Sequence, residues 1–301
     1  MRVALKIDVD TYEGIQDGGA RLASFLHSQK IPASFFVSLG PDNSGWAALR
    51  VFRQPGFLKK MWRTSAVSVY GWRTALSGTL LAARPMGSSF GDLFRQWRDW
   101  GFEVSPHGFD HILWHDKAAE WNDERAAEEL KKVAGVYRQI FNEDPKSFAA
   151  PGWQAGNGTW KAMESLKLLY HSDTRGSIPY FPSMEGQTLQ TLEIPTTLPT
   201  WDEMLAWDGM TAGQLVPETF KRLDKDRLNV WTIHAEVEGS AYFPRFHQWV
   251  EEAPGEGVQW VSLPEAARAL LRDPARVPCD TIEQGILPGR AGTVSCQRKA
   301  V

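Results

Sequence analysis

The alternation of short apolar segments with amphipathic stretches constrains the fold of this chain more than any other feature. The segment from Val3 to Val9 has the length and composition of a buried strand, and a helix-compatible stretch from Asp17 to Gln29 follows it. Such alternation predicts an α/β fold with a parallel sheet, open or closed into a barrel, and functional residues at the carboxyl ends of its strands. Further predicted strands are Ala33–Leu39, Phe102–Ser105, Ser147–Ala149, Leu169–Ser172, Leu192–Ile194, Asn229–His234 and Val258–Val261, and further predicted helices are Ala118–Phe141, Ala212–Lys225 and Pro264–Leu271.

Composition narrows the functional class. A chain of 301 residues with 43% hydrophobic and 23% charged residues has ordinary globular usage, and its net charge of -3 argues against bulk nucleic-acid binding. The chain has two cysteines, Cys279 and Cys296, which are too few for the disulfide framework of a secreted protein. This count favours a protein that resides in a reducing compartment. Charged residues enter near the amino terminus before any apolar run is long enough for a signal peptide, and we expect no export.

Two segments interrupt the alternation. Residues 43–91 contain many Lys, Arg and aromatic side chains without one Asp or Glu, which predicts contact with an anionic membrane surface or a lipid phosphate. An insertion with a solvated basic face is the alternative. Residues 273–301 are rich in Gly and Pro, and we predict an irregular tail there. The candidate membrane-contact residues are Arg50, Arg53, Lys59, Lys60 and Arg63.

Two carboxylates stand at the end of the first predicted strand. Asp8 and Asp10 are two residues apart, so both side chains project to the same side of the strand and can enter one site. Asp is also common in turns that follow strands, and a pair of turn aspartates is an equally open interpretation.

Histidines follow two later predicted strands. The spacing of His107 and His111 would place both imidazoles on one face of a helical turn, where they could bind one metal ion, although such a pair can also be structural. His115 continues the spacing and is interpreted as a supporting or surface residue. His234 ends another predicted strand, as Asp8 does. His27, His171 and His247 lack such a context and are taken as structural.

Two His and one carboxylate leave coordination positions open on a divalent ion. A metal ion with water in an open position is a hydrolytic catalyst, and the second carboxylate is then free to act as a base. The sequence therefore favours metal-dependent hydrolysis.

The order of these motifs resembles that of the polysaccharide deacetylases, the NodB-homology group. The resemblance covers residues 3–270 and includes the motif Ala150-Pro151-Gly152-Trp153. It implies a distorted (β/α)7 barrel as a catalytic domain over residues 1–272, with one divalent metal ion, Zn, Mn or Co. By the same resemblance Asp8 is the general base and His234 the general acid, and the metal ligands are Asp10, His107 and His111. Trp153 and Asp173 are implied as oxyanion-binding or orienting residues.

Three stretches narrow the resemblance to members that deformylate a formamido sugar. They are Ile7–Thr11, Pro195–Glu203 and Thr232–Gly239. The implied substrate is 4-deoxy-4-formamido-L-arabinose linked to undecaprenyl phosphate, a precursor used in lipid A modification. The implied place is the cytoplasmic face of the bacterial inner membrane, with the protein bound peripherally.

The sequence departs from the family pattern at two positions. Gly108 stands where many relatives have Ser or Thr, and Ala149 stands where many have an Arg that orients the base. The sequence does not say how Asp8 is held.

Two other functions remain open at this stage. An extracellular oligosaccharide or peptidoglycan N-deacetylase would share the catalytic residues but would be expected to carry a signal sequence. A non-catalytic sugar-lipid binding protein would not be expected to keep the complete ligand set. Formate or acetate release would separate the two enzymes, and sensitivity to a chelator would separate an enzyme from a binding protein.

Overall fold

The computed structural model describes residues 1–47 and 74–298 of the protein. The five predicted membrane-contact residues, Arg50, Arg53, Lys59, Lys60 and Arg63, lie outside the described residues. No helix within the described ranges is both long enough and apolar enough to span a membrane.

Strands and helices alternate along the described chain, as the sequence predicts. The strands are β1 (Arg2–Val9), β2 (Ala33–Val37), β3 (Glu103–Pro106), β4 (Ser147–Phe148), β5 (Tyr170–His171), β6 (Phe181–Met184), β7 (Gln187–Thr188), β8 (Leu192–Glu193), β9 (Leu228–His234), β10 (Gln259–Trp260), β11 (Cys279–Gly285) and β12 (Val294–Gln297). The helices are α1 (Ala20–Ser28), α2 (Met86–Asp99), α3 (His111–Lys117), α4 (Asp123–Phe141), α5 (Asn157–Glu164), α6 (Trp201–Leu205), α7 (Leu215–Lys221), α8 (Phe243–Glu252) and α9 (Leu263–Leu270).

Strand β1 is the centre of the larger parallel sheet. It is buried along all but its first residue, in keeping with an apolar run that faces packed layers on both sides. It pairs in parallel with β9 along nearly its whole length, with β2 along its carboxyl half and with β10 at its start, and β3 continues the sheet beyond β2.

A second parallel sheet, in the order β4-β5-β8, completes the barrel. The amide of Ala149 donates to the carbonyl of Pro106 at 3.2 Å, and this bond links β4 to β3. The amide of Thr197 donates to the carbonyl of Val230 at 3.0 Å, and this bond links the chain after β8 to β9. The ring consists of the seven parallel strands β9, β1, β2, β3, β4, β5 and β8, and β10 only flanks the start of β1. The predicted distorted (β/α)7 barrel is thus confirmed.

Helices pack their apolar faces against the outside of the barrel. Leu22 and Leu26 of α1 are buried, as are Phe94 and Trp97 of α2. Helix α4 begins later than the sequence pattern indicates, because the Asn122 side chain accepts a hydrogen bond from the amide of Arg125 and caps the helix there.

The predicted irregular carboxyl-terminal tail contains two strands, so the sequence prediction for that segment was wrong. Strand β11 pairs with β6 and with β12, and β7 pairs with the other edge of β6, which gives a four-stranded sheet. Only Gly285 of the seven β11 residues is buried, so the strand is held chiefly by backbone pairing with β6 and β12. The sequence carried no apolar alternation that would have revealed it.

Candidate active site

Polar side chains from four strand ends meet at the carboxyl edge of the barrel. Asp8 lies opposite His234 in the parallel register of β1 and β9. His107 directly follows β3, and the turn Ala150–Trp153 follows β4. Parallel strands bring their carboxyl ends to one edge, so residues far apart in sequence share this site.

Asp10, His107 and His111 form a set of potential metal ligands. The Oδ1 atom of Asp10 lies 3.4 Å from Nε2 of His107 and 3.3 Å from Nε2 of His111. His107 Nδ1 is 2.8 Å from the carbonyl oxygen of Ala149, and a bond donated there leaves its Nε2 lone pair directed into the site.

The electrostatic environment favours neutral imidazoles and leaves one carboxylate oxygen unpaired. Burial, followed by the charge of a neighbouring histidine, lowers the pKa of His111 to about 3 and that of His107 well below its usual range. Burial raises the pKa of Asp10 to about 6, and its Oδ1 is buried without a hydrogen-bond partner. Neutral imidazole nitrogens and an orphaned carboxylate oxygen suit a divalent cation.

The two histidines are not on one helical turn, as their spacing had suggested. His107 follows the end of β3 and belongs to no helix, Gly108 turns the backbone with a φ of +82°, and His111 is the first residue of α3. Asp110 caps that helix by accepting the Leu113 amide at 3.0 Å. The left-handed conformation at position 108 favours glycine, so the departure from Ser or Thr has a steric reason.

Glu236, which the sequence analysis did not single out, holds the loop that carries Asp10. Its Oε1 accepts hydrogen bonds from the amides of Asp10 and Thr11 at 3.0 and 2.9 Å, and from Oγ1 of Thr11 at 2.9 Å. Burial, with the charge of Asp10, raises the pKa of Glu236 to about 8. Its place two residues after His234 in the characteristic stretch Thr232–Gly239 was the available sequence signal.

His234 pairs with Asp202 and is held by Glu238. His234 Nδ1 lies 3.4 Å from Asp202 Oδ1, and the His234 amide donates to Glu238 Oε2 at 2.8 Å. Although burial alone would lower it, the Asp202 carboxylate raises the pKa of His234 well above its usual range. The pKa of Asp202 is correspondingly held low by His234 against the effect of burial. The imidazolium form is therefore stabilised at neutral pH.

Asp173 contacts the turn that follows β4. It accepts the Ala150 amide at 2.6 Å, and its other oxygen is 3.5 Å from His171 Nδ1. The carboxylate beside His234 is thus Asp202, and the predicted orienting role of Asp173 can act only through the Ala150–Trp153 turn. His171 also bonds Glu193, whose oxygens accept the amides of Asp173 and Thr174, while Oδ2 of Asp173 is buried without a hydrogen-bond partner.

Trp153 forms the wall of the site next to His234. Gly152 and Trp153 have φ values of +63° and +54°, and a left-handed conformation is costly for a residue as bulky as Trp. The indole Nε1 donates to Oγ1 of Thr196 at 3.0 Å, and the ring lies edge-on to His234. Guanidinium groups of Arg175 and Arg290 lie 4.8 and 4.7 Å from the ring centroid.

The carboxyl-terminal segment contributes Arg290, which the sequence analysis missed. Its guanidinium donates to the carbonyl of Gly152 at 3.1 Å and lies 3.8 Å from Oε1 of Glu203. The carboxylates of Glu203, Asp202 and Asp10 all favour its charged form, although burial lowers its pKa. Arg290 therefore lies at the margin of the site that contains Asp10.

His115 lies outside the ligand set. Its Nδ1 is 3.1 Å from Asp116 Oδ1, and its side chain is 40% exposed, against 15% for His111. This position agrees with the supporting or surface role expected from the sequence.

Comparisons with known proteins identify the family of this chain. The family model for polysaccharide deacetylases matches residues 2–171. A curated relative from Shewanella sediminis (strain HAW-EB3), named "Probable 4-deoxy-4-formamido-L-arabinose-phosphoundecaprenol deformylase ArnD", is 33% identical over 100% of this chain and 96% of its own length. A protein of the same name from Wigglesworthia glossinidia brevipalpis is 28% identical over 96% of this chain and 99% of its own length.

A solved structure shares the fold. It is described as a "probable Polysaccharide deacetylase from Pseudomonas aeruginosa PAO1" and superposes with a TM-score of 0.57. The sequences are 14% identical, and the match covers 90% of this chain and 91% of the other.

The ligand set predicts how metal content responds to substitution. His107→Ala or His111→Ala should weaken binding of a divalent ion by more than about 100-fold, because loss of a partner outside the ligand shell already costs ~10–100-fold. His115→Ala is the matched control and should retain the metal. Metal analysis after dialysis against a weak chelator measures the difference, and equal metal content in all three variants would contradict the assignment.

The His234–Asp202 pair predicts a change in the pKa of His234. Asp202→Asn removes the largest effect that raises the pKa of His234, while burial, which lowers it, remains, so this pKa should fall towards or below the ordinary 6.5. Pairing with Asp202 raises the pKa of His234 in the folded state, so the pair stabilises the protein fully below pH 6.5. This stabilisation is lost as the pH rises through the folded-state pKa of His234. Histidine NMR titration of the metal-free protein measures the change. Asp173→Asn is the control, and an equal fall there would refute the pairing.

Proposed function

Because this chain belongs to the polysaccharide deacetylase family, we propose that it is a metal-dependent amide hydrolase that deformylates 4-deoxy-4-formamido-L-arabinose linked to undecaprenyl phosphate. The observation that carries the proposal is a complete hydrolytic residue set in a chain that matches the named deformylases along its whole length. Products are formate and the aminoarabinose lipid.

Asp8 and His234 divide the proton transfers between two sides of the substrate. Asp10, His107 and His111 would hold a divalent ion, which when bound would supply Lewis acidity at the amide carbonyl and at water. Asp8 accepts a proton from the attacking water as a general base. His234, protonated through its pairing with Asp202, donates a proton to the departing amine, which is a poor leaving group without one.

The Ala150–Trp153 turn orients the reacting group. Trp153 confines the space beside His234, and its indole and the Asp173 bond to Ala150 fix the turn. The N–H groups of Ala150, Trp153 and Gln154 already donate to Asp173, Ala150 and Pro151. The Gly152 N–H is therefore the donor of this turn that is suited to stabilise the developing oxyanion, an effect worth ~3 kcal/mol per donor in mutated enzymes.

Arg290 supplies a cation for the phosphodiester of the carrier. Arg175 already bonds Glu203 and the carbonyl of Leu198, whereas Arg290 makes one bond to Gly152 and a longer contact to Glu203. A planar guanidinium with five donors retains capacity for a phosphate oxygen. Its position beside the catalytic residues suits a sugar that carries formamide and phosphate on the same ring.

The lipid carrier places the reaction at a membrane surface. We propose the cytoplasmic face of the inner membrane, with the basic segment of residues 43–91 and its Arg50, Arg53, Lys59, Lys60 and Arg63 in contact with anionic headgroups. Trp46, two residues before the stretch that is not described, and Leu80, seven residues after it, are exposed apolar side chains and support this placement.

The proposed reaction is tested by assaying formate release from the polyprenyl-linked formamido sugar in anionic vesicles. Formate should appear, stop after treatment with a strong chelator and resume on addition of Zn²⁺, Mn²⁺ or Co²⁺. Acetate release from N-acetylated oligosaccharides without formate release would favour the deacetylase alternative. Substrate binding without turnover in any metal would favour a binding protein.

The role of Arg290 predicts a selective effect on substrate affinity. Arg290→Gln should raise KM for the phosphodiester-linked sugar by about 10–100-fold, because a hydrogen bond to a charged group contributes ~1.5–3 kcal/mol. The KM for a phosphate-free formamido sugar should stay nearly unchanged. Arg276→Gln, an exposed position in the same segment, is the control. Equal losses with both substrates would assign Arg290 a purely structural role.

A further inference from the structure

We propose that Lys6 positions the general base Asp8, and so replaces the arginine that the family pattern leads one to expect at position 149. This inference rests on the proposed function and adds a positioning residue that neither the resemblance nor the comparisons assign. Lys6 would hold Asp8 in one orientation in the absence of that arginine.

The strand geometry places Lys6 beside Asp8. Both residues lie on β1 two positions apart, so their side chains project to the same side. Lys6 is fully buried, and its Nζ lies 3.4 Å from Oδ2 of Asp8. Ala149 is also fully buried, but its methyl group packs in an apolar cluster with Phe36 and Tyr170 and cannot orient a carboxylate.

The surroundings of Lys6 leave Asp8 as its nearest anionic partner. Nζ donates to the carbonyl of Ser172 at 3.1 Å, and aromatic rings of Trp153 and Phe36 lie 5.4 and 5.6 Å away. Within the part of the chain that the structure describes, Asp8 is the carboxylate within 4 Å of this ammonium group. A buried ammonium is costly without an anion, which gives a physical reason for the pair.

The pair also distinguishes the two oxygens of the base. Oδ2 of Asp8 faces Lys6 and lies 3.9 Å from Nε2 of His107. Oδ1 is buried and has no hydrogen-bond partner. Lys6 thus fixes the carboxylate so that Oδ1 is the oxygen available to accept a proton from water.

The position of the cation differs from the family pattern in a specific way. In the family pattern the arginine precedes the Pro-Gly turn at the end of β4, whereas Lys6 belongs to the strand of the base itself. The charge therefore approaches Asp8 from within the barrel. The Lys6 ammonium group also lies over the ring of Trp153, so one side chain contacts both the base and the Ala150–Trp153 turn.

Kinetics of two substitutions test the positioning role. Lys6→Met keeps length without charge and should lower kcat by about 100-fold, the loss expected from a misplacement of ~1 Å, with KM and metal content nearly unchanged. Lys6→Arg should restore most of the lost kcat. A kcat for Lys6→Met within about threefold of the wild type, or a loss explained by missing metal, would overturn the proposal.

A double-mutant cycle on unfolding tests the same pair without any substrate. Lys6→Met alone should lower the midpoint of denaturation, because it leaves Asp8 buried and unpaired. Adding Asp8→Asn should recover most of that loss, whereas adding Asp173→Asn should not. Recovery with Asp173→Asn instead would show that Lys6 serves the neighbouring carboxylate and would refute the proposal. Because this cycle needs no turnover, its result is independent of whether formate is the product.

Discussion

The parallel pairing of β1 with β9 is the interaction on which the site depends. Its register places Asp8 opposite His234, and a slip of one residue would turn every side chain of the strand to the opposite face. The chain after each strand reinforces the register, because a Cβ added at Gly18 would lie 2.0 Å from the carbonyl oxygen of Ala235. Asp8 and His234 thus face one another because the register between β1 and β9 is fixed.

Buried charge is the second constraint, and three carboxylates near the site have separate partners. Asp202 has His234, Asp8 has Lys6, and Glu236 accepts three hydrogen bonds from the Asp10–Thr11 loop. Asp10 is the exception, since its Oδ1 has only the two imidazole nitrogens beside it. An unpaired buried carboxylate is costly, so the place that lacks a protein cation is the place suited to a metal cation.

The sequence allowed much of the barrel and part of the site to be predicted. Strands such as β1 and β9 can be recognised in the sequence because burial requires apolar residues along them. Asp8, Asp10 and His234 could be predicted as site residues because they stand at or just after the ends of these strands. Asp202, Glu236 and Arg290 were not predicted, because each acts on a residue far away in the chain and leaves no periodic signal. The helical turn expected for His107 and His111 was wrong, because spacing cannot distinguish a helix from a loop bent at Gly108.

The distance in sequence between the two halves of the site also determines when it can exist during synthesis. The Asp10 amide bonds Glu236, 226 positions later, so the loop that carries this proposed metal ligand cannot form until almost the whole chain is made. At translation rates of ~5–20 residues per second, this delay is roughly ten seconds or more. The emerging amino-terminal half presents Asp10, His107 and His111 while Asp10 still lacks its support. The proposed metal site therefore acquires its supported geometry late, when the chain is nearly finished.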